Sequence, residues 1–253
     1  MNATQFYLDR PLNIAHRGAR DSAPENTLAA FELALAQGAD GIELDVIRCA
    51  TGEIVVIHDD TIDRTTNGSG RITDFAYDAL RQLDAGGWFS PQYSGEHIPT
   101  LAEVLDTMGG KLRINIEIKG RSFRSDGIET EIAAMVRARG LAPSIIVSSF
   151  NPWALGRMKR AAPEIQIALL YSARSPAWLR RGQARLWLRP QALHPEQSLV
   201  DQEYVRWAHQ HGYRVNVWTV NEPEDMRRFI SFGVDGLITD RPALLAQILS
   251  ESD

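Results

Sequence analysis

The chain has 253 residues, 44% of them hydrophobic and 23% charged, an ordinary balance for one large α/β domain. Its net charge of −5 gives no reason to expect nucleic acid as its main partner, and its single cysteine, Cys49, excludes an intrachain disulfide framework and fits a reducing, cytoplasmic setting. Residues 1–11 carry no apolar leader core, and no run reaches the length of a membrane span.

In chain order, Leu12 to His16 reads as a short first strand, closed by a tight turn at Gly18. Pro24-Glu25-Asn26-Thr27 opens a helix with Asn26 as its cap; Leu28, Phe31 and Leu35 form the apolar stripe, and Gly38 ends it. Gly41 to Val46 is the second strand, and Ile54 to Ile57, before His58-Asp59, the third. Residues 60–99 are rich in turn formers, with Trp88, Phe89 and Tyr93 among glycines and prolines. This stretch reads as an inserted subdomain of about 40 residues after the third strand, folded over one end of the domain. Thr100 and Glu103 match a capping box, opening a helix with Leu101, Val104, Leu105 and Met108 inward. Strand four is Arg113 to Lys119, with Ile114, Ile116 and Ile118 on one face and Asn115, Glu117 and Lys119 on the other. A helix over about 127–139 follows. Ile145 to Ser149 and Gln166 to Leu170 are strands flanking a helix at Pro152 to Ala162, and a short strand lies near Ala192-Leu193-His194. A helix at Asp201 to His211, a strand at Arg214 to Trp218, a helix at Glu222 to Phe232 and a strand at Gly236 to Thr239 lead to a last helix opened by Pro242.

Short apolar strands alternating with amphipathic helices predict a parallel sheet. The expected fold is a single α/β domain over residues 1–253, a (βα)₈ TIM barrel, whose eight strands suit this length. Nine strands are candidates, so one is surplus, and the link between the second and third is too short for a helix. The stretch from Gly38 to Asp45 also echoes Gly233 to Asp240; similar turn chemistry in repeated βα units accounts for that.

Glu43 and Asp45 stand at i and i+2, so both project from the same face of an otherwise apolar strand. Neighbouring buried carboxylates repel and lose solvation, at roughly several kcal/mol per unpaired charge. A divalent cation is the usual remedy; the alternative is an edge strand with both side chains in water. The other unusual residues also fall at strand ends: His16, His58, Glu117 with Lys119, and Trp218. In a (βα)₈ barrel the C-terminal strand ends form one rim, where active sites sit. There Glu43, Asp45 and Glu117 supply hard oxygen ligands for one divalent metal, His16 and His58 move protons near neutral pH, and Arg17 and Lys119 face an anionic substrate. That combination suits a phosphodiester.

A series of short motifs runs along the chain: Ala15-His16-Arg17-Gly18, Pro24-Glu25-Asn26-Thr27, Glu43-Leu44-Asp45-Val46, His58-Asp59, Arg64-Thr65-Thr66-Asn67-Gly68, Pro99-Thr100-Leu101, Glu117-Ile118-Lys119 and Ser148-Ser149-Phe150. Trp218-Thr219-Val220-Asn221 and Asp235 to Asp240 complete the series, which spans residues 15 to 240. Together and in this order they give the chain a resemblance to the glycerophosphodiester phosphodiesterase family. It implies a barrel with an insertion after the third strand and a Mg²⁺- or Ca²⁺-dependent enzyme. The implied reaction turns a small-molecule glycerophosphodiester into sn-glycerol 3-phosphate and an alcohol. It assigns His16 and His58 to the acid–base pair, Glu43, Asp45 and Glu117 to the metal, and Arg17 and Lys119 to the phosphate. One departure is Cys49-Ala50-Thr51-Gly52, where the family usually has Asp-Gly, away from the predicted chemistry.

Trp218 is expected either to close the pocket against the glycerol or alcohol part of the substrate or to cap the barrel. His97, His209 and His211 read as surface residues, and His194 receives no role. Between Tyr171 and Leu193 stand Arg174, Arg180, Arg181, Arg185 and Arg189 with Trp178 and Trp187 and no acid. That composition suits weak contact with lipid headgroups at a membrane surface, with a solvated helix and loop as the plainer account. Two other functions compete: a lysophospholipase D acting on single-chain lipids, and a non-catalytic barrel that only binds phosphodiesters. The second sits poorly with a full set of histidines and carboxylates.

Overall fold

The computed structural model describes residues 6–120, 124, 126–180 and 183–251. One sheet contains β1 (Leu12–His16), β2 (Gly41–Arg48), β3 (Ile54–Val56), β4 (Arg113–Ile118), β5 (Ile145–Ser149), β6 (Gln166–Tyr171), β7 (Ala192–Pro195), β8 (Arg214–Val217) and β9 (Gly236–Thr239). The helices are α1 (Leu28–Ala36), α2 (Tyr77–Arg81), α3 (Leu101–Met108), α4 (Ile128–Ala138), α5 (Pro152–Ala161), α6 (Ala177–Arg180), α7 (Gln183–Leu188), α8 (Gln202–Gln210), α9 (Pro223–Phe232) and α10 (Pro242–Ser250).

The strands run β1-β9-β8-β7-β6-β5-β4-β2, all parallel, and β1 pairs with β2 to close the ring. This is an eight-stranded TIM barrel with helices outside it. The surplus strand is β3. It turns back through Cys49–Glu53 and pairs antiparallel with β2, Val46 opposite Val56, outside the ring. A link this short allows a hairpin and no crossover, which is why the strand reverses direction. The short segment at Ala192 is a true barrel strand, paired with β6 and β8.

Two apolar layers hold the barrel. Outward-facing Leu44, Ile116, Val147, Ile167 and Leu237 pack against Phe31, Leu105, Ile132, Leu155 and Phe229 of the helices. Each such side chain, when fully buried, contributes about 1.5–3 kcal/mol. Inside the ring, Leu12, Ile14, Ile146, Ala168, Ala192 and Ile238 pack with Phe6 and Tyr7. Along β4 the period of two sends Ile114, Ile116 and Ile118 outward, so the interior receives Asn115 and Glu117.

The capping box forms as read: Thr100 accepts from the Glu103 N–H, and Glu103 accepts from the Thr100 N–H. The cap of α1 differs. Thr27, one residue after the expected Asn26, accepts from the Ala30 N–H at 3.2 Å. Asn26 instead adopts a left-handed conformation (φ 58°) and turns its side chain to the rim. Residues 60–99 carry apolar residues of their own, Ile62, Ile72, Tyr77, Leu80 and Ile98, clustered with Val55 and Ile57. Tyr93 Oη ties this layer to the β1–α1 loop by donating to the Ser22 carbonyl at 3.0 Å. Among the described residues no helix is long and apolar enough to cross a membrane.

Candidate active site

His16 closes β1, and the chain turns sharply at Arg17 (φ 57°) and Gly18 (φ 87°). A Cβ at Gly18 would lie 2.7 Å from the Ala30 backbone carbon, so only glycine lets the loop pass this close to α1. The turn presents the Arg17 N–H to the Glu43 carbonyl at 2.9 Å and to Glu43 Oε2 at 3.2 Å. It also sends the Arg17 guanidinium across the rim. Nη1 donates to Glu25 Oε1 at 2.8 Å, and Nε stands 3.3 Å from Asp45 Oδ2.

Glu43 and Asp45 point into the ring from β2 and Glu117 points in from β4, in register with Asp45. All three are buried, each offering an oxygen within 4.8 Å of the others. Burial, then repulsion from Asp45 and Glu117, pushes the Glu43 carboxyl well above the usual range. Burial pushes Glu117 up to about 7 against the pull of Lys119. Burial acts on Asp45 in the same sense, but Lys119, Arg17 and the Asn26 hydrogen bond outweigh it and hold this carboxyl below its ordinary value. The contacts explain the difference: Lys119 Nζ lies 3.3 Å from Asp45 Oδ1 and 3.0 Å from Glu117 Oε1, while Asn26 Nδ2 donates to Asp45 Oδ2 at 3.0 Å.

The two histidines are held alike. His16 Nδ1 lies 2.6 Å from Asp240 Oδ1, and His58 Nδ1 lies 2.6 Å from Asp59 Oδ1. Burial lowers the pKa of both imidazoles despite these aspartates. His58 reaches the rim from the end of the β3 hairpin, where the Ile57 N–H donates to the Asp45 carbonyl at 2.9 Å. Trp218 follows β8. Its Nε1 donates to the His194 carbonyl at 2.8 Å, and its ring meets Phe150 edge-on at 5.6 Å.

Of the eight residues singled out in the sequence, His16, Arg17, Lys119 and Trp218 thus lie at or just beyond the ends of β1, β4 and β8, Glu43, Asp45 and Glu117 point into the ring from β2 and β4, and His58 arrives from the antiparallel β3. Six of them, His16, Arg17, Glu43, Asp45, Glu117 and Lys119, are linked by contacts of 4.0 Å or less. Sequence reasoning gave no role to several residues that set this geometry. Glu25 receives Arg17, Arg20 and Arg64 at 2.8, 3.1 and 2.7 Å. Burial alone would raise its pKa; the hydrogen bonds and charges of Arg64, Arg17 and Arg20 hold it at about 2. Arg64 also donates to Asp59 at 2.7 Å, tying the segment after β3 to the His58 support. Asp240 takes a second bond from Asn221 at 2.8 Å. A signal for it was present, because the echo that aligns Gly38 with Gly233 aligns Asp45 with Asp240. His194 lies fully buried inside the ring, sharing a 2.9 Å hydrogen bond with Asn216.

Three buried carboxylates face the Lys119 ammonium and an Arg17 guanidinium that Glu25 shares. This excess of negative charge and hard oxygen donors fits a divalent cation. Cations and proton carriers around such a centre answer what a phosphodiester demands, namely charge neutralisation at phosphorus and proton transfer at two oxygens. Fold and rim together define a barrel phosphodiesterase.

The chain belongs to the glycerophosphoryl diester phosphodiesterase family, whose model matches residues 16–244. It is 41% identical over 241 residues to the glycerophosphodiester phosphodiesterase of Caldanaerobacter subterraneus subsp. tengcongensis, covering 95% of this chain and 98% of that one. A phosphodiesterase of Oleispira antarctica, solved in complex with the product sn-glycerol-3-phosphate, superposes with a TM-score of 0.81 at 34% identity, over 94% of this chain and 96% of that one. The glycerophosphodiester phosphodiesterase of Agrobacterium tumefaciens superposes with a TM-score of 0.80 at 31% identity, over 92% and 98%.

Proposed function

We propose that the chain hydrolyses glycerophosphodiesters to sn-glycerol 3-phosphate and an alcohol, with His16 and His58 as the acid–base pair. The observation that carries this reading is the matched support of the two imidazoles. Each gives Nδ1 to an aspartate at 2.6 Å, which leaves Nε2 to exchange protons. One histidine takes the proton from the substrate's 2-hydroxyl as that oxygen attacks phosphorus. The other gives a proton to the departing alkoxide, so the alcohol leaves neutral and a cyclic phosphate remains. Water then opens the ring with the proton transfers reversed. The intramolecular hydroxyl makes the attack effectively unimolecular.

Arg17 and Lys119 draw the phosphate to the rim and balance its charge. Trp218 sets a flat apolar wall against the glycerol or alcohol part. Glu43, Asp45 and Glu117 would hold one divalent cation, Mg²⁺ or Ca²⁺. When bound, that ion supplies Lewis-acid stabilisation of charge on the phosphate oxygens.

A second reading, a lysophospholipase D, is favoured by the partly exposed Phe150 beside Trp218, an apolar step at the mouth. Glycerol 3-phosphate release from glycerophosphocholine, with EDTA and with Mg²⁺ or Ca²⁺ restored, tests the first. His16→Ala and His58→Ala are each expected to lose turnover and keep metal affinity; near-normal turnover in either removes the two-histidine assignment. Release of choline and lysophosphatidic acid from lysophosphatidylcholine, with no hydrolysis of glycerophosphocholine, selects the second.

A further inference from the structure

Among the described residues, seven large apolar side chains are exposed, and five of them are Phe150, Trp153, Trp178, Leu186 and Trp187. These five form no part of the core. Leu186 is 69% exposed, Trp187 48% and Trp153 47%. They begin at the mouth of the site. Phe150 follows the last residue of β5 and touches Trp218, Trp153 lies in the first turn of α5, and Trp187 of α7 stacks on Trp153 at 5.1 Å. An exposed aromatic cluster beside a mouth marks a docking face more often than a solvated one.

Its charge says what it docks on. From residue 165 to 195 the sequence contains no acid, although the chain as a whole carries −5. Arg174 and Arg180 are exposed on either side of Trp178. Arg185 is turned back over the Trp207 ring at 4.6 Å. The next acid, Glu196, is turned onto the Ala173 N–H at 2.7 Å. Tryptophan with arginine is the pairing suited to a lipid interface, where the ring seats at headgroup depth and the guanidinium meets phosphate.

We propose that the exposed aromatic and arginine surface of α5, α6 and α7 docks the barrel rim on an anionic lipid bilayer. Docking there brings the mouth, through Phe150 and Trp218, to the level where amphiphilic phosphodiesters lie. The docking itself does not depend on which diester is cleaved.

The full chain is sedimented with vesicles of phosphatidylglycerol and, separately, of phosphatidylcholine, while glycerophosphocholine turnover is followed without vesicles. The protein is expected to sediment with phosphatidylglycerol, with a blue-shifted tryptophan emission, and to remain in solution with phosphatidylcholine. Arg174→Gln with Arg180→Gln is expected to weaken binding on the order of tenfold. Trp178→Ala with Leu186→Ala should weaken it comparably, by loss of apolar insertion. Neither pair touches the rim, so turnover in free solution stays unchanged and reports an intact fold. Absence of sedimentation of the unaltered protein, equal binding to both lipids, or wild-type binding by both variants overturns the proposal. So does a dimer in solution that Trp178→Ala with Leu186→Ala converts to a monomer, since the surface would then belong to a second copy. Sedimentation and turnover are read separately, so the failure of one assignment is not mistaken for failure of the other.

Discussion

His16 gives one ring nitrogen to Asp240 and turns the other toward Glu43: Nδ1 lies 2.6 Å from Asp240 Oδ1, and Nε2 lies 4.0 Å from Glu43 Oε2. A carboxylate at Nδ1 requires the N–H there, which leaves the Nε2 lone pair toward the site in the neutral ring. Asparagine at 240 can donate to Nδ1 instead and stabilise the wrong tautomer. Asp240→Asn is therefore expected to lower kcat by about 10²-fold or more with KM nearly unchanged. Asn221→Ala, one hydrogen bond further from the ring, should cost less. Steady-state kinetics on glycerophosphocholine separate the two.

Crowding of Glu43, Asp45 and Glu117 destabilises the metal-free protein through burial and repulsion. Glu43→Gln removes the ionisable group and keeps an oxygen to accept the Arg17 N–H. In EDTA this variant is expected to melt a few degrees higher than the unaltered chain, at about 2–4 °C per kcal/mol. Added Mg²⁺ or Ca²⁺ should raise the melting temperature of the unaltered chain and leave the variant nearly unmoved, because an ion stabilises by binding the folded state. Scanning calorimetry in EDTA and in metal checks both halves.

Glu25, whose side chain is only 2% exposed, joins Arg17 on the rim to Arg64 in the segment after β3. Glu25→Gln leaves the arginines without their shared charge and should cost about 3 kcal/mol, the scale for breaking a buried pair. Urea unfolding measures it. Turnover should fall as well, since Arg17 and the Arg64–Asp59–His58 chain lose their common anchor.

His194 carries a pH dependence unrelated to catalysis. Complete burial pushes its pKa down to about 3, against 6.5 in the unfolded chain. Between these values the unfolded state binds the extra proton, so stability is full above about pH 6.5 and falls as pH drops toward 3. The slope from this group approaches 1.4 kcal/mol per pH unit. His194→Gln is expected to flatten the acid limb of a stability–pH curve and to leave stability near pH 8 less affected.

Much of this was legible locally. The period of two along Arg113–Ile118 announced both the barrel layer and the inward Glu117, and the Thr100–Glu103 box needed only a spacing of three. The short link before β3 already ruled out a parallel crossover, but three apolar residues do not say that the strand pairs outside the ring. Asn26 read as a cap because its residue type suits that place, whereas its left-handed backbone turns the amide to Asp45. Asp240 and Arg64 took no role because their partners lie 224 and 39 positions away, distances over which a single sequence carries no pairing information.

The ring closes at β1, which lies between β2 and β9. On the ribosome β1 is made first and β9 last, so the nascent barrel keeps an open seam until Gly236–Thr239 has emerged. Until then β1 offers an unpaired edge, the kind of surface that recruits stray strands and chaperones. Asp240, the support of His16, emerges just after that seam-closing strand. Closure of the ring and completion of the His16–Asp240 pair therefore come within a few residues of one another, and a chain stalled before residue 236 has the open edge and lacks Asp240.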